Sequence, residues 1–289
     1  MTTSPWGTPG PVRVNHAVCF SDANGQPKSS VEKAQTKLLA IATPVLQPIL
    51  EPDEEVLWVA EAITPYSPLE LLTTGWIITT LKRCLLVVTR RRVLHLPVTA
   101  SQRAKGSVAE IRYGDVQSLE VTGLLGKKLV ATYRDGKKES FAIVRREAAA
   151  KLAALLSQID RGASPSAQTG RHFLCPRCAQ RLQAGVYQCP ACGQAFKDRR
   201  RAVFWSLVAP GGGYFYTGHP VLGLMDAGVE TILLLLVIVG IVGGLGGLGG
   251  EADGWTSVAV FGVVLAIEKL LTIYHANHYV AEFLPVATP

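Results

Sequence analysis

The chain has 289 residues, room for one domain of ordinary size and some smaller pieces. Hydrophobic residues make up 48% of the chain and its mean hydropathy is +0.24, which argues against a wholly soluble protein. The net charge is +7, and since six acidic residues and one lysine follow Arg201, the basic excess lies before that residue. A basic N-terminal part favours anionic partners such as lipid headgroups, nucleic acid or an acidic protein.

Residues 1–36 are predicted to form a disordered N-terminus, because positions 1–28 are rich in Thr, Ser, Pro and Gly. A short amphipathic helix with the sequence VEKAQTKLLAIA is expected next, with Ser29 or Ser30 as its N-cap. Residues 1–30 lack the apolar core of a signal peptide, so we expect the soluble part to be cytoplasmic.

From Glu54 onward the pattern becomes typical of strands. The segments EEVLWVAEAI, KRCLLVVTRRRVLHLPV and GSVAEIRYGDVQSLEVTG predict strands, and KLVATYRDGKKESFAIV predicts a hairpin. Asp135-Gly136 is expected to supply the positive φ angles of a tight two-residue turn. Residues 146–160 predict an amphipathic helix that covers one open end of a curled sheet. We therefore expect residues 37–160 to form a small β-barrel or sandwich with a C-terminal helix.

Within residues 50–160, the segments EEVLWVA, LLVVTRRRVLHL, IRYGDVQSLEV and TYRDGKKESFAI resemble bacterial pleckstrin-homology-like domains. This resemblance implies a binding or assembly module rather than an enzyme. Residues 67–82 are more apolar than such a domain needs, which predicts a long loop or helix at the membrane surface. Several basic residues fall at predicted hairpin turns, where they are either solvated or form a site for acidic headgroups: Arg90, Arg91, Arg92, Lys127, Lys128, Lys137 and Lys138.

A polar linker, 161–172, leads to two Cys-Pro-x-Cys pairs. The pairs predict a closed, four-cysteine structural zinc ribbon over 173–196, with one zinc per chain, and the ligands are Cys175, Cys178, Cys189 and Cys192. An iron site with the same thiolates and a disulfide-bonded loop are the alternatives. Of the other two cysteines, Cys19 and Cys84, the second lies in an apolar run and is expected to be buried. Free thiols indicate a reducing compartment.

Three arginines surround the ribbon: Arg171, Arg177 and Arg181. They could contact nucleic acid. However, the ribbon lies only a few residues from the predicted membrane segments, so contact with anionic lipids is the simpler interpretation. The juxtamembrane cluster 197–201 has the same expected lipid contact and sets the topology, with its start on the cytoplasmic side. Its basic residues are Lys197, Arg199, Arg200 and Arg201.

Residues 202–276 predict an α-helical membrane domain, followed by a tail over 277–289. Two segments, 221–245 and 256–275, are long and apolar enough to span a bilayer. The segment 202–218 is interrupted by Pro210 and three glycines and is either a short span or a re-entrant piece; we favour three spans in total. The stretch PGGGYFYTGHPVLG, 210–223, resembles the turn of bacterial two-transmembrane-segment domains, with matches at Pro210, Gly211, Gly213, Tyr216, Gly218 and Gly223. The glycine-rich run at 244–250 is expected to be a flexible exit from the bilayer.

Polar residues inside the predicted membrane domain need a partner or a task. They are His219, Asp226, Glu230, Glu268 and Lys269. One interpretation is a Glu230–Lys269 ion pair that fixes helix packing; the other is a proton or cation path. His275 and His278 are expected at the interface, without a chemical role.

The chain contains no phosphate-binding loop, nucleophile elbow or His-Glu-x-x-His motif, which disfavours an enzyme. We expect a non-enzymatic integral membrane scaffold or adaptor of the bacterial inner membrane, which binds a protein partner or an anionic lipid surface. The alternative is a small oligomeric transporter or channel subunit that uses the intramembrane carboxylates. Nucleic acid is not an expected partner. The chain is expected to form a homo-oligomer through glycine-rich helix faces.

Overall fold

The structure, a computed structural model, describes residues 10–124, 126–159, 170–246 and 251–286; of residues 69, 73, 251 and 252 it describes only the backbone. The chain folds as two compact units that divide between Gln194 and Ala195. The four paired cysteines therefore fold with the β-rich part, and the basic cluster folds with the apolar helices.

The first unit contains a nine-stranded sheet and helices that pack on it. Its strands are β1 (Arg13–Val14), β2 (Glu55–Ile63), β3 (Arg83–Thr89), β4 (Arg92–Pro97), β5 (Val108–Arg112), β6 (Val116–Thr122), β7 (Lys128–Tyr133), β8 (Lys138–Ile143) and β9 (His172–Leu174). Its helices are α1 (His16–Cys19), α2 (Ser29–Leu46), α3 (Pro68–Thr74), α4 (Ile78–Leu81) and α5 (Arg146–Gln158), with 3₁₀ turns at Gly75–Ile77 and Tyr113–Asp115.

The strands follow the order β6-β7-β8-β2-β3-β4-β5-β9, and β1 pairs with β2 beside this path. All pairs are antiparallel except β1–β2. The structure thus confirms the predicted β-rich fold with a following helix. It also adds a strand that the sequence did not indicate, since β9 leads directly into the first cysteine pair.

Burial explains the strand patterns. Strand β4 is buried at every position, and β3 at every position but its first, because both faces of the sheet are covered there. One face packs on α5 through Leu152 and Leu156. The other packs on α2 through Leu38 and Leu46. Strand β7 alternates buried and partly exposed residues, as expected where one face meets solvent.

Three local predictions are corrected. Of residues 1–36, expected to be disordered, positions 1–9 lie outside the described residues, but 10–36 form β1, α1, a turn and the start of α2, because Cys19 and its apolar neighbours pack into the core beside α2. Helix α2 is capped by Lys28 without a side-chain bond, rather than by Ser29 or Ser30. The β7–β8 connection is wider than a two-residue turn, since the Tyr133 amide bonds the Lys137 carbonyl and only Gly136 has a positive φ (84°).

Residues 67–82 are helical. Ser67 and Glu70 form a reciprocal capping box at the start of α3. Glu70 and Lys82 then form a buried ion pair (3.1 Å) across the segment. These contacts join the beginning and the end of the segment, while Leu72 and Trp76 point to solvent, 82% and 78% exposed.

The second unit contains four helices in its described part: α6 (Arg199–Val208), α7 (Gly212–Thr217), α8 (Pro220–Gly244) and α9 (Glu251–Val280). Close packing of α8 and α9 depends on glycine. A Cβ added at Gly254 would lie 2.1 Å from the Gly244 amide nitrogen, so no larger residue fits there. Gly211 begins α7 with a φ of 66° and faces the carbonyl of Gly223, which explains the glycines after Pro210.

Helices α8 and α9 are long and apolar enough to cross a membrane. The expected third span is not found in the described residues. Helix α6 has 10 residues, a rise of about 15 Å, and the chain turns at Pro210 before the short α7. The two ends of the unit meet instead: the Lys197 amide bonds the Leu284 carbonyl (2.9 Å), and the Val286 amide bonds the Ala195 carbonyl (3.0 Å). We call this pairing the terminal clasp.

Candidate metal centre and intramembrane polar cluster

The two cysteine pairs lie on two matching turns. In each turn the amide of the first cysteine donates to the carbonyl of a glutamine five residues later, at 2.8 Å for both Cys175 and Cys189. The residue after the second cysteine has a positive φ, 72° at Gly193 and 57° at Ala179. The repeated hexapeptide therefore folds twice into the same turn, although Ala179 adopts a conformation that favours glycine.

These turns bring the four sulfurs together. Cys175 Sγ lies 3.5 Å from Cys192 Sγ, and Cys178 Sγ lies 3.5 Å from Cys189 Sγ. All four sulfurs lie within 4.8 Å of one another. A tetrahedral ion with metal–sulfur bonds of about 2.3 Å separates its sulfurs by about 3.8 Å, so the arrangement fits a metal ion.

Burial of Cys175 and Cys178 works against bare thiolates at these two positions. It raises the pKa of the Cys175 thiol above its ordinary value, and it raises that of Cys178 to about 11. Without a cation these two thiols stay protonated at neutral pH. A bound metal ion must therefore displace protons, which couples its affinity to pH.

The cysteine cluster is joined to the sheet by backbone and side-chain contacts. Strand β9 pairs with β5, and Leu174 forms a β-bridge with Arg181 between the cysteines. Arg181 Nε also donates to Glu110 Oε1 of β5 at 2.9 Å. The cysteine turns are thus bonded directly to the edge of the sheet.

Glu110 belongs to a buried ionic network. Arg92 donates to Glu54 and to Glu110, each with a contact of 2.6 Å. Burial alone would raise the pKa of Glu110, but Arg92, with Arg112 and Arg181, holds it below its ordinary value. Arg92 is therefore buried and ion-paired, neither solvated nor open to headgroups as the two interpretations of the sequence had it; its partners lie 38 and 18 residues away in sequence.

Arg171 is also satisfied within the first unit. It forms an ion pair with Glu139 (2.7 Å), contacts His95 and lies over the rings of Phe141 and Phe173. Since Arg181 binds Glu110 as well, Arg177 is the exposed member of the three arginines around the cysteines. Of the three arginines, two are therefore already paired within the first unit and are not free to contact the phosphates of a nucleic acid.

The first unit also has a cavity of about 350 Å³ between α2, β2 and α5. Lys151 borders it, donates to Ser21 Oγ (2.8 Å) and to the Asp22 carbonyl (2.9 Å), and lies over the Trp58 ring. These bonds hold the N-terminal turn against α5, so they account for this lysine structurally.

In the second unit, Asp226, Glu230 and Glu268 converge, each with one carboxylate oxygen within 4.8 Å of the others. Lys269 Nζ lies 2.7 Å from Glu230 Oε2, which is the expected ion pair. Thr272 Oγ1 lies 2.8 Å from Glu268 Oε1 and 3.1 Å from Asp226 Oδ2. We call Asp226, Glu230, Glu268 and Thr272 the carboxylate cluster.

His219 lies apart from the carboxylate cluster. Its ring stacks on Tyr279 with centroids 4.0 Å apart, and Nδ1 lies 3.2 Å from Thr217 Oγ1. His275, expected at an interface, is buried and shares a 2.6 Å hydrogen bond with Tyr214 Oη. Both histidines fix α7 against α9, so His219 does not join the predicted set.

The basic cluster begins α6. Asp198 caps this helix by accepting from the Arg201 amide (2.8 Å), and the arginines Arg199, Arg200 and Arg201 are exposed. Lys197 differs from them, since its ammonium lies over the Tyr216 ring. Three of the four predicted lipid contacts are thus free to face a lipid surface.

Sequence reasoning missed Thr272, although it lies one helical turn after Glu268 and that spacing is visible in the chain. It also missed the Arg92 network and the Tyr214–His275 bond, for which no local pattern exists. No family model, curated protein or solved structure matches this chain.

Proposed function

We propose that this chain is a non-enzymatic membrane adaptor whose first unit lies against an anionic lipid surface. One observation carries the proposal. Of the six exposed large apolar side chains described in the first unit, four lie between residues 66 and 76: Tyr66, Leu71, Leu72 and Trp76. Clustered exposed leucine and tryptophan side chains are typical of surfaces that enter the lipid headgroup region.

The resemblance to pleckstrin-homology-like domains supports the same role. We infer that the exposed basic residues at the β3–β4 and β7–β8 turns, Arg90, Arg91, Lys137 and Lys138, contact acidic headgroups or an acidic protein partner. The buried Arg92 is excluded from this set.

The metal that we assign to the cysteine cluster is zinc, one per chain. Zinc prefers four thiolates in a closed tetrahedral site, and such a site leaves no position for substrate. Its role is then structural: it holds the two turns together and keeps β9 paired with β5. Iron with the same ligands is the alternative.

The second unit anchors the adaptor. Only 28% of the apolar stretch of α8 and 6% of that of α9 is buried, which is the reverse of a core helix in a soluble protein. We therefore place both helices in a membrane, and by the positive-inside rule we place Arg199–Arg201 on the cytoplasmic side of a bacterial inner membrane. A reducing compartment also suits the thiols.

Self-association remains part of the proposal. Gly240, Gly244 and Gly254 are covered within the α8–α9 pair. Gly228 and Gly262 have no atom within 4 Å of an added Cβ, so a homo-oligomer contact is proposed there.

Fluorescence quenching by lipids tests the adaptor role. The full-length chain is placed in nanodiscs of phosphatidylglycerol whose acyl chains carry bromine, and Trp76 is isolated as the difference between wild type and Trp76→Phe. We expect the Trp76 emission to be quenched. Trp58, which is buried in the core, serves as a matched control through Trp58→Phe and is expected to be unquenched.

Two results would contradict the proposal. Unquenched Trp76 in every lipid would leave a protein as the partner of this surface. Equal quenching in phosphatidylcholine would show that lipid charge is not recognised.

A second function, a small transporter or channel subunit, is favoured by one observation, the three convergent carboxylates in helices long enough to span a bilayer. Replacing Asp226, Glu230 and Glu268 by amides separates the two functions. An adaptor retains its lipid contact, whereas a transporter loses flux.

A further inference from the structure

The carboxylate cluster lies well inside the helical unit. Asp226 and Glu230 share one face of α8, since they are four residues apart, and Glu268 and Thr272 share one face of α9. Glu230 follows the start of α8 by 10 residues, or about 15 Å along its axis. The cluster is therefore formed by two facing helices and not by a surface loop.

Charge within the cluster is unbalanced. Three carboxylates face one ammonium, that of Lys269, which is shared between Glu230 Oε2 and the Ser206 carbonyl, each at 2.7 Å. With all groups ionised, two negative charges remain. Apolar surroundings oppose such an excess unless a cation neutralises it.

An independent observation points to a missing ligand. The Glu230 side chain is fully buried (0% exposed), yet its second oxygen, Oε1, has no hydrogen-bond partner among the described residues. Glu268 Oε2 is also buried and without a hydrogen-bond partner there. Buried carboxylate oxygens normally accept a hydrogen bond or bind a metal ion.

We propose that Asp226, Glu230 and Glu268 bind one hard divalent cation, of the Mg²⁺ or Mn²⁺ class, between α8 and α9. The three side chains offer carboxylate oxygens as metal ligands, which these ions prefer. One oxygen from each lies within 4.8 Å of the others. An ion with metal–oxygen bonds of about 2.1 Å spans at most about 4.2 Å between opposite ligands, close to that limit. The site does not depend on the adaptor role or on zinc at the cysteine cluster.

Manganese provides a direct test, because the electron paramagnetic resonance signal of free Mn²⁺ is lost when the ion binds. The full-length chain in detergent is titrated with MnCl₂. We expect one saturable site per chain, at least tenfold weaker in Asp226→Asn and in Glu268→Gln. Excess Mg²⁺ is expected to displace the bound Mn²⁺.

Two controls keep the result interpretable. Asp253→Asn removes a carboxylate from the same helix α9, outside the cluster, and should bind Mn²⁺ like wild type. Cys189→Ser disrupts the cysteine cluster and should also retain Mn²⁺ binding, which separates this site from the zinc site. Helix content and elution volume establish that each variant is folded.

The proposal is overturned if folded wild type shows no saturable Mn²⁺ binding, because the excess carboxylates are then neutralised by protons. It is also overturned if both amide variants bind Mn²⁺ as tightly as wild type.

Discussion

The two units differ in how they neutralise buried carboxylates. In the first unit, the buried carboxylates Glu54 and Glu110 are matched by Arg92, and the four cysteines form a closed set of soft donors. In the second, three carboxylates meet one lysine, and two buried oxygens have no hydrogen-bond partner among the described residues. The difference teaches that a buried carboxylate matched by an arginine serves the fold, whereas an excess of buried carboxylates over cations leaves a position for a ligand.

The largest expected effect comes from the metal centre. Cys178→Ser removes one of four thiolates, so we expect zinc content to fall from one per chain to less than a tenth of that. Loss of a structural metal costs about 4 kcal/mol or more, and amide exchange in β9 and β5 should accelerate because the two strands are paired. If the amides of β9 exchange as slowly in a zinc-free variant as in wild type, the cysteine cluster does not have a structural role.

The sharpest test of the comparison removes one carboxylate from each unit. Glu110→Gln should destabilise the sheet by about 3 kcal/mol, because it leaves Arg92 partly unpaired. Asp226→Asn, without added divalent cations, should change the stability of the helices by less than about 1 kcal/mol or raise it, because it removes an excess charge. Amide exchange measures the first change, and thermal unfolding in detergent the second.

The exposed Glu120 serves as a control in the first unit, and Glu120→Gln should stay within about 0.5 kcal/mol of wild type. A large loss of stability in Asp226→Asn would mean that the Asp226 carboxylate is neutralised by a nearby positive charge. The two units would then not differ in how their carboxylates are neutralised.

A smaller effect depends on pH. Burial, with Arg171, Lys82 and Lys105 nearby, lowers the pKa of His95 well below 6.5, so the folded state keeps this ring neutral. As pH falls below about 6.5, the unfolded chain binds a proton that the folded one does not, and stability drops by up to about 1.4 kcal/mol per pH unit.

Urea unfolding of the full-length chain between pH 7 and 5.5 measures this slope. We expect His95→Gln to flatten it. His172 also has a pKa lowered by burial and by Arg181, so His172→Gln is measured separately. A wild-type slope of zero would mean that His95 accepts a proton in the folded state.

The smallest effect tests the repeated turn. Ala179 has a φ of 57°, so Ala179→Gly should stabilise the cysteine cluster by about 0.5–1 kcal/mol. The matched change, Gly193→Ala at a φ of 72°, should destabilise it by a similar amount, although its Cβ would have space. Zinc affinity in a competition assay with a chelator measures both; equal effects of the same sign would refute the equivalence of the two turns.

Sequence alone predicted features that repeat along the chain. The cysteine spacing, the apolar lengths of α8 and α9 and the amphipathic α5 could all be read locally. The Glu230–Lys269 pair joins residues 39 positions apart, and it was predicted because charged residues inside apolar helices need a partner. Sequence alone missed other features that depend on distant contacts. The pairing of β1 with β2 needs residues about 40 positions apart. Neither interpretation of Arg92 included its ion pairs, because Glu54 and Glu110 are remote in sequence.

The break at Pro210 was visible in the sequence, but its outcome was not. Whether 202–218 spans a membrane depends on how the chain turns back, and Gly211 makes that turn by packing on the Gly223 carbonyl. The number of glycines in this stretch does not reveal that Gly211 packs on Gly223. The Tyr214–His275 bond across 61 residues is likewise a consequence of this turn.

The terminal clasp fixes the parity of membrane crossings. Ala195 and Val286 are hydrogen-bonded at 3.0 Å, and residues at opposite faces of a bilayer about 30 Å thick cannot be. If α8 and α9 cross a membrane as proposed, the path between these two residues crosses it an even number of times. A compartment-sensitive reporter fused after the last residue should then report the same compartment as one inserted just before Ala195, whichever side of the membrane that is.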